Sequence, residues 1–354
     1  MKQPDTIPPD TLYAYTLFFV ALIIIILIAT HLRLSVRKKH FLLEKKVQEF
    51  FDQWLSNMLL DDFSGGIAVE VPEGLKDIRK NKIARQYAIN QLINTKKSLI
   101  GIASRNVVYL YEQLGLKTSS LRKFNSRIWH KKAKGIYELY MMEQKDLKDR
   151  ILRYTNSSNE YIRQEAQTAV LAFSGFEGLS FLNNLTRPMN TWQQVKLLEQ
   201  LEPLDPGHLE PLENWLLSEN NSVVVFALKL AEIYQQYHLK EAVTACLQHP
   251  KEKVRTQAIK TLMHIGDEHT AQILVEKYAT ETVVNRTAIL QALENIATDQ
   301  QKAFLENELE SGNTSIQLQV ARVMAKCCTN GMAELQHKPG FQQIFLHIKS
   351  EMAR

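Results

Sequence analysis

Residues 249–274, HPKEKVRTQAIKTLMHIGDEHTAQIL, show most clearly how the chain is folded. The His-Pro pair that opens it ends one helix, because proline cannot continue a helical hydrogen-bond pattern. In the helix that follows, apolar residues recur on one face, at Val254, Ala258 and Leu262. Gly266-Asp267 then ends this helix and begins a second one, since glycine favours helix C-termini and aspartate caps N-termini. The stretch therefore predicts a hairpin of two helices.

The same pattern recurs about every 31 residues along the chain. Each unit has an apolar leading residue and, four residues later, a small or apolar anchor residue. The anchors are Ala133, Ala166, Val195, Ala227, Ala258, Ala288 and Val320. The leading residues are Trp129, Ile162, Thr191, Val223, Val254, Val284 and Ile316. One short hairpin cannot bury its own apolar stripe, so consecutive hairpins must stack into a solenoid, with Trp129 in its core.

These residues resemble the HEAT repeat family, in particular its short bacterial form. The resemblance covers about Ile128 to Leu335 and is carried by Val254-Arg255, Ala258, Leu262 and Ile265-Gly266-Asp267. It implies an all-α, right-handed α-solenoid that binds proteins. In that family an arginine after the leading residue commonly joins a ladder of polar contacts between repeats. Arg163 and Arg255 match that position, whereas Arg286 lies one place later, so we expect a structural role for them.

Residues 11–30 read TLYAYTLFFVALIIIILIAT, twenty residues without a charge. As a helix with a rise of about 1.5 Å per residue, they span roughly 30 Å, the thickness of a bilayer's hydrocarbon core. Met1 to Asp10 carries one Lys and two Asp and so lacks the cationic start of a cleaved signal peptide. A basic flank follows the apolar stretch, at Arg33, Arg37, Lys38 and Lys39. Because basic flanks stay in the cytoplasm, we predict a single-pass inner-membrane protein with its N-terminus outside and its body in the cytoplasm.

Past the span, one face of a continuing helix is apolar, at Leu43, Val47, Phe50, Trp54 and Met58. We expect this face to dock onto the following domain rather than to form a coiled coil. The Gly pair and Pro72 within Asp61 to Gly74 predict a linker with a short β-prone run. Three helices are then predicted, around Arg79–Asn94, Ala103–Leu114 and Leu121–Met142, as a diverged cap of the solenoid.

Positive charge is concentrated in this cap. Residues 76–137 hold 15 Lys or Arg and two acids, whereas residues 138–354 carry a net charge of −6. The densest part is a basic face formed by Lys117, Arg122, Lys123, Arg127, Lys131, Lys132 and Lys134. Near an anionic lipid surface each such charge contributes about 1 kcal/mol, less with salt. Contact with anionic lipid, an acidic protein partner and a merely solvated surface all remain open, whereas nucleic acid is not expected.

The sequence offers little support for catalysis. It contains no G-x-G-x-x-G, G-x-x-x-x-G-K-Ser/Thr or G-x-S-x-G motif, and none of its ten histidines is followed by Glu. The cysteines Cys246, Cys327 and Cys328 lack the spacing of a disulfide framework or a zinc site. We therefore predict no enzyme activity, no cofactor, no metal site and no small-molecule substrate.

Together these features predict a membrane-anchored cytoplasmic scaffold or adapter that binds a protein partner through its repeat surface. The predicted organisation is an external tail (1–10), a transmembrane helix (11–30), a basic juxtamembrane flank with an amphipathic helix (31–62), a linker with the basic cap (63–127) and the solenoid (128–354). Two alternatives stay open. The resemblance implies an accessory or regulatory subunit of a bacterial envelope polysaccharide (glycosyltransferase) system, and a metal site formed by unrecognised surface residues would make the protein an enzyme.

Overall fold

The computed structural model describes residues 9–60, 81–202, 211–311 and 314–352. Within these ranges the regular structure is helical, as the repeat pattern predicts. The chain divides into two compact units, Met1–Lys145 and Asp146–Arg354. Most of the predicted external tail and the predicted linker with its β-prone run lie outside the described residues.

The first unit has five described helices, numbered here from the N-terminus. They are α1 (Pro9–Leu60), α2 (Lys82–Lys97), α3 (Gly101–Gln113), α4 (Lys117–Phe124) and α5 (Trp129–Met141). Helix α1 runs for 52 residues, and its stretch Tyr13–Lys39 is long and apolar enough to cross a membrane. The predicted span, residues 11–30, lies in its N-terminal half.

The C-terminal half of α1 packs against the rest of the first unit. Phe51 is fully buried and shares a core with Ala88, Leu92 and Tyr111. Next to it, Gln91 Nε2 of α2 donates a hydrogen bond of 3.0 Å to Asp52 Oδ1. The helix therefore packs onto the rest of the first unit at Phe51 and Asp52, whereas the side chains of the five residues predicted to form its docking face lie outside the described ones.

The single helix predicted over Leu121–Met142 is wrong: α4 ends at Phe124 and α5 begins at Trp129. The two helices fold back on each other and touch at Gly135. A Cβ atom at Gly135 would lie 2.3 Å from the backbone nitrogen of Phe124, so only glycine permits this crossing. A continuous helix would have kept these two backbones apart.

The second unit consists of stacked helical hairpins with one continuous apolar core. Its described α-helices are α6 (Lys148–Leu152), α7 (Glu160–Ser174), α8 (Thr191–Leu201), α9 (Leu212–Leu216), α10 (Asn221–Ile233), α11 (Lys240–Ala245), α12 (Glu252–Ile265), α13 (Glu268–Tyr278), α14 (Val283–Ile296), α15 (Lys302–Ser311), α16 (Thr314–Cys327), α17 (Gly331–His337) and α18 (Gln342–Met352). Short 3₁₀ turns complete several hairpins, the longest over Gly175–Asn184. Helices α10, α12, α14 and α16 pack in succession, and α7 packs on α8. This is the predicted α-solenoid.

The structure corrects the register of two repeats. In α8 the predicted anchor Val195 is 36% exposed, whereas Leu197 is fully buried. In α14 the predicted leading residue Val284 is 63% exposed, and the buried residue at that place is Asn285. The buried anchors are Ala166, Leu197, Ala227, Ala258, Ile289 and Val320. The interval between them is 31 residues throughout, except for 30 between Leu197 and Ala227.

The boundary between the units also differs from the predicted one. The helix that begins at Trp129 was assigned to the first repeat, but it lies in the first unit. Its fully buried Glu138 forms hydrogen bonds with Gln86 and Ser120 of that unit, and these bonds fix α5 there. Trp129 itself is 46% exposed, so its predicted place in the core is wrong.

Candidate functional site

Polar bonds join neighbouring repeats and involve the arginines singled out in the sequence. Arg255 of α12 forms a two-point ion pair with the carboxylate of Glu281, with Nε–Oε1 and Nη2–Oε2 distances of 2.7 and 3.1 Å. Arg163 and Arg286 donate to backbone carbonyls of the turns that precede their helices. These arginines hold the turns between hairpins, which agrees with the structural role expected for them.

Asn285 extends this network between α12 and α14. Its side chain is fully buried, accepts a bond of 2.6 Å from Thr256 Oγ1 and donates one of 2.8 Å to Glu281 Oε2. Burial raises the pKa of Glu281, but the bonds from Arg255 and Asn285 outweigh it, so this pKa lies below its ordinary value. A leading position can therefore be polar when both of its hydrogen-bonding groups find partners.

The predicted basic face divides into two groups. Lys117, Lys123 and Lys132 are partly buried, and Lys132 Nζ donates 2.9 Å to the carbonyl of Phe124 at the end of α4. Arg122, Arg127, Lys131 and Lys134 are exposed. The second group, which we call the exposed basic residues, presents its charge to the surroundings of the first unit.

Lys123 points inward and forms an ion pair with Glu138. Its Nζ lies 2.5 and 2.6 Å from the two carboxylate oxygens, and Gln86 Nε2 and Ser120 Oγ donate to the same carboxylate at 2.8 and 2.7 Å. Burial lowers the pKa of Lys123, while the Glu138 carboxylate opposes that shift. Lys123 belongs to the predicted basic face, a candidate surface for ligand contacts, but in the structure it joins α4 to α5.

The connection between α4 and α5 carries an exposed apolar tip between basic residues. The five consecutive residues from Arg127 to Lys131 are all exposed, with Ile128 at 45% and Trp129 at 46%. The rings of Trp129 and His130 are in edge contact, with centroids 5.5 Å apart. We call these five residues the 127–131 tip.

Two exposed aromatic residues lie at equivalent positions of adjacent repeats in the second unit. Tyr161 and Trp192 occupy the first turns of α7 and α8 and are 58% and 69% exposed. Gln193 Nε2 of α8 donates 3.3 Å to the carbonyl of Gln164 in α7, so the two first turns are neighbours. This pair was not predicted from the sequence. Each residue directly precedes a buried leading position, Ile162 or Gln193, but the register predicted for α8 placed its leading position at Thr191.

The larger cavities are lined by polar groups that already have structural roles. In the second unit, a cavity of about 1050 Å³ lies beside Trp215, whose Nε1 donates 2.6 Å to Asn183 Oδ1. Asn220 on the same wall donates to the backbone carbonyls of Leu185 and Arg187. In the first unit, a cavity of about 800 Å³ is lined by Gln86 and Lys123, which both bind Glu138, and also by the exposed Arg122.

The thiols and carboxylates of the described residues form no recognisable reactive centre. Burial raises the pKa of Cys328 to about 11, so its thiol stays protonated at neutral pH. The described ranges contain no group of three or more His, Cys, Asp or Glu placed to hold a metal ion. Asp267, in the turn between α12 and α13, is bound to Lys240 at 2.5 Å and caps α13, and the Lys240 contact holds the pKa of Asp267 well below its usual range.

The juxtamembrane residues Arg33, Arg37, Lys38 and Lys39 are all exposed on α1. They lie in the last two turns of the stretch that could cross a membrane. Long basic side chains at the end of such a stretch can extend to lipid headgroups.

Residues 209–294 match the family of HEAT repeats. A comparison with curated proteins gives no match.

Among solved structures, the chain is similar to an engineered protein of the Northeast Structural Genomics Consortium, with 13% identity and a TM-score of 0.41 over 79% of this chain and 94% of that one. It is also similar to microtubule polymerases with tumor overexpressed gene (TOG) domain arrays, described for tubulin recruitment and assembly, with 12% identity and a TM-score of 0.26 over 80% and 79% of the two chains. A designed armadillo repeat protein shows 13% identity and a TM-score of 0.24 over 75% and 98%. The HEAT-repeat match and the stacked hairpins identify the second unit as a helical-repeat solenoid.

Proposed function

We propose that this protein is a membrane-anchored scaffold whose repeat body binds a protein partner at the cytoplasmic side of the inner membrane. The observation that carries the proposal is the exposed pair Tyr161 and Trp192 on adjacent repeats of a solenoid. Exposed aromatic residues are enriched in protein interfaces, where they supply contact area at a small cost in conformational entropy. Stacked repeats present such residues in rows, which suits an extended partner.

The anchor supports the membrane part of this proposal. Helix α1 holds one stretch that is long and apolar enough to cross a bilayer, and the basic residues at its end favour a cytoplasmic body. Helical-repeat folds of this kind are typically non-enzymatic scaffolds. The protein would thus concentrate its partner at the membrane without changing it chemically.

Site-specific photocrosslinking tests the partner surface. A photoreactive amino acid is placed at Trp192 in the full chain, and a matched control carries it at Lys253, the corresponding exposed first-turn position of α12. We expect one recurring protein adduct from the Trp192 position, lost on Tyr161→Ala, and no such adduct from Lys253. Equal labelling from both positions would show that the aromatic pair is not a partner surface.

Deleting residues 11–30 tests the anchor separately. We expect the shortened chain to leave the membrane fraction, and its partner adduct to disappear from that fraction with it. If the shortened chain stayed with the membrane, the assignment of residues 11–30 as the anchor would be wrong.

A further inference from the structure

The 127–131 tip is an exposed apolar pair between positive charges. Ile128 and Trp129 occupy its centre, with Arg127 before them and Lys131 after them. Lys134, also exposed, lies one turn further along the same face of α5 as Lys131. The apolar surfaces of these two side chains stay in contact with water unless a partner or a membrane covers them.

The hairpin of α4 and α5 is held together by other residues. Gly135 permits the close crossing at Phe124, and Ile136 is fully buried. The bond from Lys132 Nζ to the Phe124 carbonyl closes the end of α4.

The chemistry of the tip fits the headgroup layer of an anionic membrane. The indole ring of tryptophan prefers this layer because one edge is apolar and the N–H is polar. Lysine and arginine beside it are attracted to negatively charged lipids within a Debye length of the surface. The charge complementarity is strong, since no acidic residue occurs between Gln113 and Tyr137.

Helix α1 keeps the first unit close to the membrane. Phe51 of α1 is part of the core of that unit, and it lies twelve residues after Lys39, where the apolar stretch ends. Twelve helical residues correspond to about 18 Å. A compact body of 65 residues, the length of 81–145, has a radius of gyration of about 11 Å and hence a width of roughly 28 Å. A body of this width packed on α1 at Phe51 can extend along the helix to the lipid surface.

We infer that the 127–131 tip inserts Ile128 and Trp129 among the headgroups of an anionic membrane, where Arg127, Lys131 and Lys134 contact lipid phosphates. The inference rests on the proposed anchoring and adds a second point of attachment. With α1 as the first point, the tip would hold the first unit against the lipid surface. The orientation of this unit would then depend on the lipid composition.

The test uses the full chain in lipid nanodiscs and the fluorescence of its tryptophans. One set of discs contains phosphatidylcholine alone, and the other contains phosphatidylcholine mixed with phosphatidylglycerol, each with and without brominated acyl chains that quench nearby indoles. The variant Trp129→Phe is compared with Trp192→Phe, which removes a tryptophan of the second unit that is more exposed, 69% against 46%. The charge variant Arg127→Glu with Lys131→Glu is compared with Lys251→Glu with Lys253→Glu, an exposed pair in the second unit.

We expect bromine quenching to be larger in the phosphatidylglycerol discs than in phosphatidylcholine discs. This extra quenching should be lost in Trp129→Phe and in the Arg127/Lys131 variant, and kept in both controls. It should also decrease from about 0.1 M to about 1 M salt, where the Debye length falls to about 3 Å.

Two results would overturn the inference, and they are distinguishable. A chain that co-purifies with the discs but shows the same quenching with and without Trp129 would contradict lipid insertion of the tip, and would favour an acidic protein as its partner. A chain that does not co-purify with the discs would contradict the proposed anchoring, and the second attachment point with it.

Discussion

Replacing Lys123 by methionine should open the first unit, although Lys123 belongs to the basic face that the sequence predicts. The Glu138 carboxylate is fully buried and accepts bonds from Lys123, Gln86 and Ser120. Without Lys123, its negative charge would remain buried beside the neutral donors Gln86 and Ser120. A buried carboxylate without a counter-charge is strongly unfavourable.

The size of the effect follows from this geometry. Removing one partner of a buried ion pair costs about 3–5 kcal/mol. Because Gln86 and Ser120 remain and the Lys123 side chain is 18% exposed, we expect the lower end of that range. A loss of about 3 kcal/mol raises the opening equilibrium roughly 100-fold.

Amide hydrogen exchange measured by mass spectrometry on the full chain in nanodiscs reports this opening locally. Peptides from α4 and α5 should lose about two decades of protection in Lys123→Met. The control Arg122→Met, an exposed residue of the same basic face outside the 127–131 tip, should stay within about 0.5 kcal/mol of the wild type. The double variant Lys123→Met with Glu138→Leu should recover most of the loss, because no charge remains buried. Unchanged protection in Lys123→Met would refute this account of Glu138.

Three further predictions concern the packing of both units. Leu197→Ala should cost about 2–5 kcal/mol of unfolding free energy in urea, whereas Val195→Ala should cost less than about 1, and the reverse order would restore the sequence-based register. Gly135→Ala should lower the melting temperature of the first unit, followed by circular dichroism, because its Cβ would meet backbone at 2.3 Å; an unchanged melting curve would contradict the close crossing. The pKa of Glu281 is lower in the folded protein than the value of about 4.3 in the unfolded chain, so its ionised carboxylate stabilises the fold above that pH. This contribution is lost as the pH falls through the pKa of the folded state. Thermal unfolding should thus be less acid-sensitive in Glu281→Gln, and equal sensitivity would argue against the Arg255 contact.

The repeat could be predicted from the sequence because its period comes from packing. A helix that packs against the preceding and the following repeat needs small or apolar residues at fixed places, and α12 shows them at Val254, Ala258 and Leu262. The predicted register is wrong in the two repeats whose leading residue is polar, Gln193 in α8 and Asn285 in α14. A search for apolar residues does not find these buried amides. Each forms a hydrogen bond with a residue of the preceding repeat, Gln164 or Thr256, which is about 29 residues away in the sequence.

The candidate site could be predicted only as a region of charge. Counting charges located the basic face, but it could not show that Lys123 turns inward to Glu138, because that carboxylate lies 15 residues further along the chain. The break between α4 and α5 was missed as well. It depends on the contact of Gly135 with Phe124, a property of the folded hairpin rather than of local helix propensity.

The accessibility of single cysteines on the two sides of the membrane shows whether the chain crosses it once with its repeats in the cytoplasm. In a full chain whose three native cysteines are replaced by alanine, Asp10→Cys and Lys253→Cys are made separately. Intact cells expressing each variant are treated with a membrane-impermeant maleimide. The membrane-anchored scaffold predicts labelling of position 10 in intact cells, and labelling of position 253 only after the membrane is opened. Labelling of position 253 in intact cells, or of neither position until lysis, would contradict a chain that crosses the membrane once with its repeats in the cytoplasm.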